Sequence, residues 1–344
     1  MNEKKLVLVT GGSGFIAIHT MAKLLQKGYR VRASLRTMSR QDEVKAMLKQ
    51  AGVSDLAELS FVKADLTDEA SWIPAMDKVD AVMHIASPTP ATRPDSADEM
   101  VKMAVDGLLN VFKAAKKAQV ERIVLTSASG AALAGHKNHP EIFTEEDWSD
   151  LSAPINAYQR SKTMAEQAAW KFAKENQLDL VSILPVAVMG PVLGQDFSHS
   201  NQAIKNMFEG KMPQLLRLAF DYIDVRDVAD LHLLALENPQ AVGERFLATT
   251  GENISYKAQA KLLKEHFGPQ ANQVSTREIP DFLVKFLAHF KKDLKMPATF
   301  LGQNTACSNA KAKKLLNWQP RSAESSIIAT AQSMFDLGII KKEK

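Results

Sequence analysis

Short runs of Val, Ile and Leu alternate with longer amphipathic segments over the first half of the chain, beginning at Leu6-Val7-Leu8-Val9. A parallel strand covered on both faces reads as a continuous apolar run, and its neighbour is reached through a crossover helix. The pattern predicts strands at Leu6–Thr10, Arg30–Leu35, Leu59–Lys63, Ala81–Ile85, Arg122–Thr126 and Leu178–Leu184. Helical periodicity lies between and after them, near Phe15–Lys27, Asp42–Gln50, Glu69–Met76, Ala97–Ala118 and Ala157–Glu175. Six strands with crossover helices imply an α/β chain built on a Rossmann-like, doubly wound parallel sheet.

After Pro191 the rhythm breaks into Pro-, Gly- and polar-punctuated pieces with more helix, including Asp281–Phe290, which Pro280 can open, and Ser325–Leu337. A smaller, mostly helical C-terminal substrate domain is expected there. The strand-like Tyr222–Val225 and the helical Asp227–Glu237 read as a return to the first domain. The nucleotide domain is therefore expected to hold residues 1–190 and about 222–240, and the substrate domain about 191–221 and 241–344.

Composition removes several classes of function. With 344 residues and 45% hydrophobic side chains, the chain can bury a full core. Its 43 basic and 39 acidic residues leave a net charge of +4 without a basic tail, so no nucleic-acid partner is expected. A single cysteine, Cys307, makes neither an internal disulfide nor a zinc cluster, which points to a cytoplasmic protein with no metal. Met1–Lys5 runs directly into the first apolar stretch, leaving no room for a signal peptide. No apolar run reaches the roughly 18 residues of a membrane span.

Thr10-Gly11-Gly12-Ser13-Gly14-Phe15-Ile16-Ala17 falls where the first strand must turn into the first helix. Glycines permit the tight turn and let backbone N–H groups approach a pyrophosphate at the positive end of the helix. Gly11, Ser13, Gly14, Phe15 and Ile16 are thus candidate cofactor contacts. An NAD-binding turn usually has an acid about 20 residues on, to hold the ribose hydroxyls. Here the second strand ends in Arg36, with Arg40 four residues later and no acid before Asp42. A guanidinium binds a 2′-phosphate that a carboxylate would repel, so NADP(H) is the expected cofactor. Asp65 and Leu66, after the third strand, fall near the expected adenine edge, where Asp65 reads equally well as a turn or cap residue. Ile85, Ala86 and Ser87 follow the fourth strand at the edge where ligands collect. His84 reads as a packed strand residue.

Tyr158 and Lys162 stand one helical turn apart on one face. A free phenol titrates near 10, and bringing it to about 7 takes roughly 4 kcal/mol of preferential stabilisation of phenolate. A neighbouring ammonium can contribute to that, and the tyrosine can then pass a proton to a carbonyl oxygen. The hydroxyl-rich run Thr126–Ser129 precedes it at the end of the fifth strand.

Thr10–Ala17, the Tyr158/Lys162 pair and Asp221–Ala229 together resemble the extended short-chain dehydrogenase/reductase family. His84–Pro88 and Asn156-Ala157-Tyr158 resemble one branch of it more closely, that of dihydroflavonol 4-reductase, cinnamoyl-CoA reductase and the methylglyoxal, aldehyde and ketone reductases. The resemblance implies NADPH, a Ser-Tyr-Lys triad, a phosphate-binding role for Arg36, and cofactor contacts at Pro185 and Val188 in the loop after the sixth strand. The branch commonly reads Thr-Ser-Ser where this chain reads Thr126-Ser127-Ala128-Ser129, so the usual serine position is occupied by Ala128. Ser127 is expected to hold the carbonyl in its place, with Ser129 the alternative.

The expected activity is NADPH-dependent hydride transfer to an aldehyde or ketone, with Tyr158 as general acid. A nucleotide-sugar epimerase or dehydratase and a non-catalytic NADP(H) sensor are the alternatives. The partner is a small carbonyl compound, and the chain is expected to be a monomer or a homodimer. Substrate contacts are expected in the loops Pro88–Pro94, Ala131–Pro140, Leu193–Asn206 and Leu215–Phe220, which include His136, His139 and His199.

Overall fold

The computed structural model describes residues 4–341 except 89–95, 137–141, 196, 292–293, 295–296, 299 and 303–304, and the backbone alone of His199. Its first six strands are β1 (Leu6–Val9), β2 (Arg30–Leu35), β3 (Leu59–Lys63), β4 (Ala81–His84), β5 (Arg122–Thr126) and β6 (Asp179–Pro185). After them come β7 (Ala187–Met189), β8 (Ala219–Asp224), β9 (Arg245–Ala248) and β10 (Asn253–Ser255). The α-helices of the first half are α1 (Phe15–Gln26), α2 (Gln41–Gln50), the single turn α3 (Trp72–Ala75), α4 (Ala97–Lys117) and α5 (Ala157–Asn176). They are followed by α6 (His199–Phe208), α7 (Val225–Glu237), α8 (Tyr256–Phe267), α9 (Asp281–Leu287), α10 (Ala310–Leu316) and α11 (Ala323–Asp336).

A seven-stranded, all-parallel sheet in the order β3-β2-β1-β4-β5-β6-β9 forms the centre. Because side chains alternate along a strand, β1 feeds two cores at once. Val7 and Val9 pack with Ile18 and Met21 of α1, Leu48 of α2 and Val228 and Leu231 of α7. Leu6 and Leu8 pack on the other face with Trp72 of α3, Leu108 and Phe112 of α4 and Ala169 of α5. A doubly wound Rossmann-like α/β fold results, with helices covering both faces of the sheet.

The second sheet has three strands in the order β10-β8-β7, with β7 parallel and β10 antiparallel to β8. Helices α6, α8 and α11 pack around it, and Phe208, Phe267 and Phe335 meet with ring centroids 5.0 to 5.5 Å apart. The division of the chain differs from the expected one in several places, β7 of the small sheet lying within the stretch expected in the first domain. Residues 245–248, expected in the second domain, form β9 and join the large sheet through Ser182↔Arg245 and Ile183↔Phe246. The stretch expected to return at Tyr222–Val225 is strand β8 of the small sheet as far as Asp224, where Val225 opens α7. The return to the first core is made by α7 and by α10, whose Ala312 and Leu316 are buried there.

Candidate active site

Strand order reverses between β1 and β4, which opens a crevice beyond their carboxyl ends. Thr10 joins the two strands. Its N–H donates to the Met83 carbonyl at 3.0 Å, and its Oγ1 accepts from the Ile85 and Ala86 amides at 3.0 and 2.9 Å. His84 Nδ1 lies 3.0 Å from the same hydroxyl. The imidazole is buried in the strand, and desolvation, with the Lys162 charge, pushes its pKa down to about 3.

The glycine turn is shaped by β2 and β4. The Gly11 amide donates to Ser34 Oγ at 3.1 Å and the Gly12 amide to the Ser34 carbonyl at 2.9 Å. At Gly11, with φ of +68°, an added Cβ would stand 3.1 Å from Ala86 Cα, and at Gly12 it would meet the Ala33 Cβ at 2.8 Å. Gly14 is the extended N-cap of α1 and provides no side-chain cap. The first-turn N–H groups of Phe15, Ile16 and Ala17 thus lie at the positive helix end, beside the crevice, as donors for an anion.

Arg40 forks Glu43 with two bonds of 2.8 Å and reaches Ser13 Oγ at 3.1 Å. Arg36 is exposed at the end of β2, with no hydrogen bond or ion pair to another described residue. Asp65 accepts the Thr67 N–H at 2.9 Å and hydroxyl at 2.8 Å, and these bonds, with the nearby Arg36 charge, hold its carboxyl below the ordinary range. Leu66 packs on Gly107, where an added Cβ would come within 3.0 Å of Leu66 Cβ, so α4 lies close. Pro185 ends β6 opposite Ala248, and Val188 lies in β7 with its carbonyl accepting from Ser198 Oγ at 3.0 Å.

Helix α5 opens with a capping box: Asn156 Oδ1 accepts the Gln159 N–H at 2.9 Å and Gln159 Oε1 accepts the Asn156 N–H at 3.2 Å. That fixes the turn bearing Tyr158, a residue 53% exposed. The walls around it still raise the phenol above its ordinary value of 10. Lys162 Nζ lies 5.9 Å from the ring centroid. Burial lowers that ammonium to about 8, with the Glu166 charge holding it up. The lowering that the sequence assigns to the phenol is not found: desolvation raises the phenol, and it is the lysine ammonium that burial lowers.

Ser127 is buried and lines a small cavity with His84, Ser87 and Lys162. Its hydroxyl donates to Glu166 Oε2 at 2.7 Å inside the fold, which commits its only proton. Ala128 is extended and buried, and Ser129 opens a short turn of 3₁₀ helix. Ser129, Gly130, Leu133, Gln159, Val186 and Phe220 are among the residues lining a cavity of about 100 Å³. Phe300 and Thr305 from the C-terminal segment complete it, and Phe300 meets Phe220 with centroids 6.1 Å apart. Tyr158 adjoins this cavity, since a Cβ added at Gly130 would be 4.0 Å from Tyr158 Cε1.

Residues 7–248 match the family model of the NAD-dependent epimerase/dehydratase family. The chain belongs to that family. Within it, a cinnamoyl-CoA reductase of Medicago truncatula is 35% identical over 271 residues, covering 77% of this chain and 81% of the relative. A bifunctional dihydroflavonol 4-reductase/flavanone 4-reductase of Malus domestica is 33% identical over 285 residues, covering 79% and 78%. Yeast methylglyoxal/isovaleraldehyde reductase, solved in complex with NADPH, superposes with a TM-score of 0.78 at 26% identity, covering 97% of this chain and 99% of that one. These relatives lie in the extended branch that the sequence resembles.

Of the expected substrate loops, residues 89–94, 137–140 and 196 lie outside the described residues, as do His139 and the side chain of His199. His136 Nε2 lies 3.1 Å from the Ala132 carbonyl, within its own loop. Leu215–Phe220 contributes Phe220 to the cavity. Glu166 and Arg245, which line up behind Lys162 and Ser127, were not expected. The only sequence signal for Glu166 is its spacing, one further turn along the Tyr158/Lys162 face. Among the described residues no helix is long and apolar enough to cross a membrane, and no group of three His, Cys, Asp or Glu could hold a metal ion.

Proposed function

We propose that the protein is an NADPH-dependent reductase of aldehyde or ketone carbonyls. The observation that carries the reading is the Tyr158/Lys162 pair on α5, with the Tyr158 ring adjoining a largely apolar cavity and Lys162 5.9 Å from the ring centroid, lining a smaller cavity with Ser87 and Ser127. The uncapped start of α1 and the close passage of Gly11 and Gly12 past Ala86 and Ala33 fit a dinucleotide pyrophosphate. Arg36, exposed where an NAD-binding chain would carry an acid, fits a 2′-phosphate, with Arg40, bonded to Ser13 of the glycine turn, as a second proposed cation. Asp65, Leu66, Ile85, Ala86, Ser87, Pro185 and Val188 complete the proposed cofactor contacts.

Reduced nicotinamide supplies the hydride when bound. Tyr158, protonated at neutral pH because its pKa is raised, donates its phenolic proton to the carbonyl oxygen as the hydride arrives. Lys162 holds a positive charge beside that ring as the phenolate develops. The hydrogen bond to the carbonyl passes from Ser127 to Ser129, because Ser129 lines the cavity while Ser127 is bonded to Glu166. Leu133, Val186, Phe220 and Phe300 take the apolar substituents and keep water from them.

The test is spectrophotometric. NADPH oxidation is expected with members of a panel of aldehydes, diketones and β-keto esters, and NADH is expected to be the poorer donor. A protein that binds NADPH yet oxidises none of it across the panel would overturn the reading.

A further inference from the structure

Glu166 has a side chain with no exposed surface, and it pairs with Arg245, itself 9% exposed, at 2.9 Å. Its Oε1 accepts from Ser182 Oγ at 2.7 Å, Arg245 Nε at 2.9 Å and Trp170 Nε1 at 3.2 Å. Its Oε2 accepts from Ser127 Oγ at 2.7 Å and Arg245 Nη2 at 3.4 Å. Buried ion pairs contribute little to stability relative to apolar side chains of similar volume, so packing alone does not account for this arrangement. Arg245 extends it. Nη1 donates to the Glu145 and Asp147 carbonyls at 2.6 and 2.8 Å, and the guanidinium lies 3.8 Å from the Trp148 ring centroid. The same loop returns to the serine turn, where Ser149 Oγ donates to the Gly130 carbonyl at 2.9 Å and accepts the Ala134 N–H at 2.8 Å.

We propose that Glu166 is a positioning residue of the site: its carboxylate fixes the end of β5 through Ser127 and supplies the counter-charge that keeps the buried Lys162 ammonium beside Tyr158. The inference rests on the reading of Tyr158 and Lys162 as the proton-delivering pair. Lys162, Glu166 and Ser127 line one cavity of about 20 Å³, with His84 and Thr126, which is room for about one water. Tyr158 and Glu166 face the lysine from its own helix and His84 from β4, while Arg245 of β9 lies beyond Glu166. Thr126 is tied at 2.7 Å to His232 of α7, and α4 brings only Ala104 and Leu108 to the cavity. Burial pushes His84 to about 3 and His232 to about 4, so neither changes charge in the range where Lys162 titrates. Among the described residues that face it, Glu166 is the anion.

The test is the titration of Lys162 itself, followed by carbon-13 NMR of lysine-labelled protein with the resonance assigned through Lys162→Arg. Wild type, Glu166→Gln and the pair Glu166→Gln/Arg245→Gln are compared. The lysine midpoint is expected to fall by about one pH unit in Glu166→Gln, and the alkaline loss of kcat/KM is expected to move down with it. The double variant also removes the Arg245 charge that the single one leaves without its partner, and it serves where the single one does not fold; its midpoint too is expected below wild type. An unchanged midpoint in a folded variant overturns the proposal. Wild-type protein that turns over no carbonyl would instead overturn the reductase reading, and the NMR titration would still report the Glu166–Lys162 coupling.

Discussion

A phenol that keeps its proton at neutral pH is useful only if something can take that proton at the right moment, and Tyr158 adjoins the cavity proposed to receive the carbonyl. Replacing it by Phe removes the proton and leaves the ring, so NADPH binding should persist while kcat falls by about 10²- to 10⁴-fold. Steady-state kinetics with a fluorescence titration of NADPH separates the two effects, and unimpaired turnover would remove Tyr158 from the mechanism. The two serines make opposite predictions. Ser129→Ala, which takes a donor from the cavity wall, is expected to cost about 10²- to 10³-fold in kcat. Ser127→Ala is expected to cost less, because its hydroxyl already serves Glu166. Arg36 is tested by its selectivity: Arg36→Ala should weaken NADPH binding by roughly 10- to 100-fold, the worth of charge-assisted hydrogen bonds, and leave NADH nearly unchanged. Equal losses for the two cofactors would show that Arg36 does not meet the 2′-phosphate.

Helix α5 positions all three of Tyr158, Lys162 and Glu166, so its first turn sets the geometry of the site. Asn156→Ala removes one half of the capping box and should cost about 1 kcal/mol of stability, read as a lower Tm, together with a reduced kcat because Tyr158 lies within the frayed turn. A variant with lowered Tm and unchanged kcat would show that packing alone holds the tyrosine. The sheet around this helix was legible in the sequence because parallel strands buried on both faces are continuous apolar runs, and β2, β3 and β5 fall on their expected bounds. Strands β7, β9 and β10 were not legible. They are three or four residues long, and β9 opens with Arg245, so no periodicity develops. Glu166 was missed for a related reason. An acid in an amphipathic helix ordinarily faces solvent, and what buries this one is an arginine 79 residues away in the chain. The bond from Ser127 to Glu166 and the place of Ser129 in the cavity wall were equally hidden, since the strand ends at Thr126 and is followed by the extended Ala128 and a turn of 3₁₀ helix.

The cores of the large sheet hold three histidines whose imidazoles are all but excluded from water, and this makes the stability of the molecule depend on acid. Burial lowers His19 to about 4, His84 to about 3 and His232 to about 4, whereas each titrates near 6.5 in the unfolded chain. Above that pH both states hold them neutral and no difference arises. As pH falls below 6.5 the unfolded chain takes up protons that the fold refuses, so stability is lost down to the folded values. Each histidine thereby withdraws about 3 kcal/mol by pH 4. Asp227 acts in the opposite sense. Burial raises it to about 6 even though Arg321 pairs with it, so the fold gains a proton first as pH falls, offsetting about one histidine between pH 6 and 4. The balance leaves a net loss, and Tm is expected to fall steeply between pH 6.5 and 4. His232→Gln can keep a hydrogen bond to Thr126 without titrating, so its Tm should start lower than wild type at pH 7 and decline less over the same interval. Parallel Tm curves for the two proteins would show that His232 is protonated in the fold as easily as outside it, and that acid acts on this molecule through other groups.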